Sequence, residues 1–195
     1  MANRVVPDMT APSGREDVPV LTHGNVRLRE VTTADADALT ALFARPEVSI
    51  HLSPPPGDVV AFTEWLETSL RRRHEGRAFV YALLDTADTN RVAGLFMVLR
   101  TTQDDAEAEI GFAMAPHLWG TGVFMTAATL YVTWLFARWP IHRLVGKTLA
   151  RNHRGLGAMR KLGATIVEQR LRGDEAEFVW AIGRDAWAHR QPQSS

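Results

Sequence analysis

Between residues 20 and 188 the apolar positions recur with two different periods, and each change of period marks an element. VRLREV (Val26 to Val31) alternates apolar with polar, which predicts a half-buried strand. Thr32, Thr33 and Asp35 then have the character of a helix start. Leu39, Leu42 and Phe43 supply the stripe of a short helix expected to stop before Pro46. SPPPG (Ser53 to Gly57) is a rigid break, because three prolines cannot continue a helix. The segment after it, VVAFTEWLETSLRRRHEG, gathers Phe62, Trp65, Leu66 and Leu70 on one helical face. Its arginines lie at the C-terminal end, where the helix dipole favours them.

Two apolar runs, AFVYALLD and RVAGLFMVLR, flank TADTN and predict an antiparallel pair. The acidic turn TTQDDAEA leads into a strand AEIGFAMA, and PHLWGTG opens a long apolar helix from Val123 to Trp139. HRLVGKTLA predicts a further strand, RNHRGLGAMRKLG a glycine-rich short helix, and ATIVEQRLRG with AEFVWAIGR a terminal hairpin. The hairpin either closes the sheet or pairs across a dimer, so a monomer and a homodimer both fit. The expected order is β, α, α, three β, α, β, α, β, β. This is an α/β class fold with a mixed sheet and helices on its faces. Residues 1 to 19 mix Pro, Gly, Ser and charge without periodicity and predict a disordered arm. Residues 189 to 195 predict a frayed tail, leaving a single domain over 20–188.

Charge and composition narrow the function classes. Lys plus Arg and Asp plus Glu both number 22, which gives no support to a nucleic-acid partner; Arg71 to Arg73 form only a small basic patch. The absence of cysteine excludes disulfides, a thiol nucleophile and thiolate metal sites. Seven histidines are scattered without ligand spacing, so no metal is expected. Thr126, Thr129, Thr133 and Arg138 interrupt the most apolar segment, which therefore reads as a buried helix rather than a membrane span. With no signal-like start, a cytoplasmic location is the expectation.

The chemistry centres on Gly120 and Gly122. Glycines at the mouth of a helix expose backbone N–H groups at a positive dipole end, an arrangement suited to phosphate. The spacing fits neither ordinary nucleotide loop. No GxxxxGK[ST] string occurs, and Met125 stands where GxGxxG needs its last glycine. Taken alone, the two glycines also suit a tight turn and nothing more. Three stretches in order change that weighting: NVRLREVTTADADAL, His117-Leu-Trp-Gly120-Thr-Gly122, and Asn152-His-Arg-Gly155 followed by Lys161-Leu162-Gly163. Together they resemble the GNAT superfamily of acyl-coenzyme A-dependent N-acyltransferases, in particular the Rim-type branch that acetylates ribosomal-protein N-termini. The similarity in element order runs from about residue 22 to residue 184. His117 departs from the Gln or Arg that the family's motif carries there.

The resemblance implies a GNAT-like fold in which the strand Glu109 to Ala115 splays from the strand His142 to Leu149. It implies that acetyl-CoA is the cosubstrate, with its pantetheine arm paired to backbone around Phe112, Ala113 and Met114. The diphosphate is expected over the N–H groups of Leu118, Trp119, Gly120, Thr121, Gly122 and Val123, next to His117. Asn152 is expected at the pantetheine end and Arg154 near the phosphates. Backbone N–H near Met114 would serve the oxyanion, and Glu109 is the candidate for taking the substrate proton. Glu107, Asp104 and Asp105 would form an acidic mouth, or else a plain solvated turn. The family's frequent tyrosine acid is replaced by Met159, and neither Tyr81 nor Tyr131 is an obvious substitute. The implied activity is acetyl transfer to a primary amine, whether a peptide N-terminus or a small molecule, by direct attack in a ternary complex. The acceptor is expected under the segment His51 to Arg73. A non-catalytic coenzyme A-binding or interaction module that keeps the fold is the competing reading, motivated by Met159 and His117.

Overall fold

A computed structural model of the chain describes residues 18–100 and 106–190. Eight strands form one sheet: β1 (Leu21–His23), β2 (Val26–Glu30), β3 (Ala78–Leu84), β4 (Val92–Arg100), β5 (Glu107–Met114), β6 (Arg143–Leu149), β7 (Thr165–Arg172) and β8 (Glu175–Gly183). Their order across the sheet is β1-β2-β3-β4-β5-β6-β8-β7. Every pair is antiparallel except β5 with β6, which run parallel. The helices are α1 (Ala36–Phe43), α2 (Pro46–Ser49), α3 (Val59–His74), α4 (Val123–Arg138), α5 (His153–Lys161) and α6 (Arg184–Arg190).

The hydrophobic periods explain which face each element covers. On β3 and β4, Phe79, Tyr81 and Phe96 point to α4, where their rings meet Tyr131 and Trp134 at centroid separations of 4.9–5.8 Å. The α4 segment buries Ala127, Ala128, Tyr131, Val132 and Leu135, as an almost uniformly apolar helix must. No helix among the described residues is long and apolar enough to cross a membrane. On the opposite face α1 and α3 cover β3 and β4, with Phe43 against Phe62 at 5.5 Å and Phe62 against Trp65 at 6.4 Å. Helix α1 is tied down at its start by Asp35. That carboxylate accepts two hydrogen bonds from Arg29, both 2.7 Å, and one from the Thr32 N–H at 2.8 Å.

Several expectations needed correction. Leu21–His23 add a strand before β2, and the hydroxyl of Tyr81 donates to the Pro19 carbonyl at 3.0 Å, so the arm is fixed from its last residues onward. The first helix stops at Phe43, before Pro46 as expected, but Pro46 then opens the short helix α2, which was not expected, because proline suits the first position of a helix. At the other end α6 takes in His189 and Arg190, where fraying was expected; Trp187 is buried and donates to Thr133 Oγ1 at 3.1 Å. The hairpin closes the sheet within one chain, since β8 inserts between β6 and β7.

Candidate active site

The site begins where the only parallel pair among the described strands comes apart. β5 and β6 are paired at Glu107–Arg143, Ala108–Leu144 and Glu109–Val145, and no further. Beyond Glu109 the two strands diverge and leave a fork. The ladder with β4 decides which backbone groups face it. Ala115 N–H donates to the Ala93 carbonyl at 2.7 Å, which makes Met114 and Gly94 a non-hydrogen-bonded pair. Alternation along β5 then turns the N–H and C=O groups of Ile110, Phe112 and Met114 toward the fork. Those of Ala113 turn toward Leu95 of β4. The Ala113 groups expected to face the fork are thus engaged with β4, and those of Phe112 and Met114 face it. Of these groups, the Met114 carbonyl already accepts the indole N–H of Trp119 at 2.9 Å.

The turn into α4 lies at the open end of the fork. Gly120 and Gly122 have φ of 77° and 87°, a region L side chains rarely adopt, and Gly122 is the residue capping α4. A Cβ on either would meet nothing within 4 Å, so the space over both glycines is open. The N–H groups of Leu118 and Trp119 are not available there. They donate to the carbonyls of Ala115 and Pro116, both at 3.0 Å, and close the short 3-10 turn Pro116–Leu118. The ring of His117 is also engaged elsewhere, with Nε2 2.9 Å from Asp85 Oδ2. Asp85 in addition accepts from Arg91 at 2.8 Å and from the Ala87 N–H at 3.0 Å. These contacts, the Ala87 N–H foremost, hold its carboxyl below the usual carboxylate range.

Across the fork, the Asn152 side-chain oxygen caps α5 by accepting from the Gly155 N–H at 2.8 Å. A Cβ at Gly155 would come within 2.6 Å of the Asn152 amide nitrogen and 3.1 Å of Thr148, so the cap and the glycine require each other. The next side chain, Arg154, stacks its guanidinium over Trp119 at 4.1 Å. Trp119 thus links the end of β5 to the start of α5. Met159 is buried below β6, where a Cβ on Gly146 would come within 2.9 Å of its methyl group.

The inner end of the fork opens on a cavity of about 690 Å³ on the α1–α3 side of the sheet. Its apolar wall comes from Phe43, Phe62, Trp65 and the strap from Leu52 to Pro56. The floor carries Glu109, whose carboxylate accepts a hydrogen bond from Lys147 at 2.6 Å. Glu109 is 38% exposed and Lys147 36%. The far wall carries Arg170, Arg172 and Glu177. Glu107 is neutralised by Arg143, so it contributes little to an acidic mouth; Asp104 and Asp105 lie outside the described residues. Sequence reasoning missed Lys147, Arg170, Arg172 and His51. A buried ring nitrogen of His51, Nδ1, has no hydrogen-bond partner among the described residues, and the ring borders the cavity. Two-residue periodicity along β6 and β7 marks these side chains as sharing a face, but only the sheet order brings them beside β5.

Neither tyrosine reaches the fork. Tyr131 is fully buried and donates to the Phe79 carbonyl at 2.7 Å, and burial pushes its hydroxyl well above its ordinary range. Tyr81 is also raised by burial and lies against Pro19.

Residues 25–165 match the family model described as acetyltransferase (GNAT) domain. No curated protein matches the chain. Among solved structures, a ribosomal-protein-S5-alanine acetyltransferase from Vibrio fischeri superposes with TM-score 0.76 at 15% identity, covering 87% of this chain and 99% of that one. RimL, a ribosomal L7/L12 alpha-N-protein acetyltransferase solved in complex with coenzyme A, gives 0.75 at 17% identity, covering 86% and 99%. A nucleotide-linked sugar GNAT, FdhC, gives 0.71 at 15% identity, covering 89% and 93%. At these identities the likeness is one of fold, whereas the family match spans most of the chain together with its forked strands and glycine turn. The chain belongs to the GNAT acetyltransferase family.

Proposed function

We propose that this acetyltransferase moves an acetyl group from acetyl-CoA to a primary amine, with both substrates bound in one ternary complex. The observation that carries the reading is the fork itself. It joins an open glycine turn at one end to a half-open cavity at the other, and its edge presents unpaired strand backbone. The chain's groups fit a pantetheine diphosphate. Phe112 and Met114 offer ladder positions for an extended amide-bearing arm. Gly120, Thr121 and Gly122 offer N–H donors at the start of α4, with open space over both glycines, while the Val123 N–H makes a long contact of 3.5 Å to Thr121 Oγ1. Arg154, held flat on Trp119, adds a cation at that end. Asn152 acts by fixing the start of α5, and His117 by bracing the turn through Asp85.

Bound there, acetyl-CoA would supply an activated acetyl thioester. The protein's own work is to position and to move a proton. An ammonium cannot attack, so the acceptor must lose a proton before its nitrogen forms the new C–N bond and the C–S bond breaks. Glu109 faces the cavity and is pinned by Lys147, which places its carboxylate to take that proton directly or through one water. The Met114 N–H points into the fork, where it would polarise the carbonyl under attack. The leaving thiolate takes its proton from solvent, since Met159 has none to give and both tyrosines lie elsewhere.

Calorimetry with acetyl-CoA, followed by thiol release over a panel of peptides and small amines, tests the proposal. Binding with amine-dependent thiol release is the expected result. A protein that binds no acyl-coenzyme A would overturn it.

A further inference from the structure

Opposite the apolar strap, the cavity wall formed by β5, β6, β8 and β7 is charged. Three cationic side chains, Lys147, Arg170 and Arg172, face two carboxylates, Glu109 and Glu177. Lys147 is taken by Glu109. Glu177 is nearly buried and accepts from Arg170 Nε and Nη2, both at 2.8 Å. Arg172 is left over. It approaches Glu177 no closer than 3.8 Å, makes no hydrogen bond among the described residues, and keeps 43% of its side chain exposed at the cavity. Beyond that long ion pair its guanidinium keeps a planar fork of donors with no hydrogen-bonded acceptor among the described residues, the geometry that matches a carboxylate. Glu109 and Arg172 line the same cavity, so a proton acceptor and a cation open on one space.

We infer that the acceptor is a small amine with an apolar body and a carboxylate, its ammonium directed to Glu109 and its carboxylate to Arg172. This rests on the acetyl-transfer reading and specifies its substrate class. The strap Leu52–Pro56, with Phe62 and Trp65, would cover the apolar body and remove it from water. An amine without the carboxylate leaves Arg172 as it stands, and an amine without the apolar body leaves the strap wall wet.

Matched pairs test the assignment by thiol release: 8-aminooctanoate against octylamine, and glycyl-phenylalanine against its amide. In at least one pair the carboxylate member should have the higher kcat/KM. Arg172→Gln should shrink that preference about tenfold, the value of a hydrogen bond to a charged group, and Arg172→Lys should shrink it less. Acetyl-CoA affinity measured on the same variants reports that the fold is intact. Turnover of amines with no carboxylate preference, or a preference unchanged in Arg172→Gln, overturns the assignment alone. Bound acetyl-CoA with no thiol release to any amine overturns the acetyl-transfer reading and this assignment with it.

Discussion

The two ends of the fork are built by different means. The glycine turn is assembled from one short stretch, Pro116 to Val123, and presents backbone donors in conformations set by two positive φ angles. The cavity is assembled from side chains on α1, α3, β4, β5, β6, β7, β8 and the proline strap, separated by more than a hundred residues. A backbone site binds whatever carries the right anion and tolerates little substitution at its glycines. A side-chain site changes its ligand with each replacement while its frame stays put. The contrast fits a family whose members, to judge from the neighbours here, include both ribosomal-protein and nucleotide-sugar enzymes on one fold.

If the division is real, variants at one end should leave the other end's readout alone. The largest effect is expected at Glu109. Glu109→Gln should lower kcat about 100-fold while acetyl-CoA affinity in calorimetry stays the same. A change in that affinity instead would show the two ends to be one site. Gly122→Val should raise the acetyl-CoA Kd about tenfold or more, from left-handed strain of roughly 1–2 kcal/mol and crowding of the open cradle. It should not alter the ranking of amines in the thiol-release assay.

A smaller effect tests the brace behind the turn. Asp85→Asn should cost about 1 kcal/mol in denaturant unfolding at pH 7, the worth of its hydrogen bonds. The folded carboxyl is held below its ordinary value, first by the Ala87 N–H and then by His117 and Arg91. Its contribution is thus complete above the ordinary carboxylate pKa and is lost as pH falls through the depressed one. The gap between variant and wild type should accordingly narrow below about pH 4. Smallest of all, Arg154→Ala should weaken acetyl-CoA binding about threefold, in line with an exposed cation–π contact of roughly 0.5–1 kcal/mol. Equal binding by that variant would remove Arg154 from the cofactor end.

Much of this frame was legible in the residues. Alternation at VRLREV, the apolar run AFVYALLD, the break at SPPPG and the apolar run after Gly122 each reappear as the element expected of them. What escaped were the elements too short to show a period: three residues of β1, four of α2 and the seven of α6. Within the site, Glu109 was singled out on the resemblance and the two glycines on their spacing, both carried by short stretches of sequence. The reassignment at Ala113 and the loss of Leu118 and Trp119 as donors were not, because hydrogen-bond direction depends on which neighbour strand or turn claims each group.

The amino-acid order by itself determined the periods, the breaks and the turn, since each follows from sterics and burial within a few residues. It placed an acid and a pair of glycines on one strand-turn-helix unit. Only the tertiary structure decided that β6, β8 and β7 lie in that order beside β5, and so that Lys147, Arg170 and Arg172 share a cavity with Glu109. Strand order is a property of long-range pairing, which no local pattern encodes. The acceptor's chemistry is written there, in side chains that the chain itself keeps far apart.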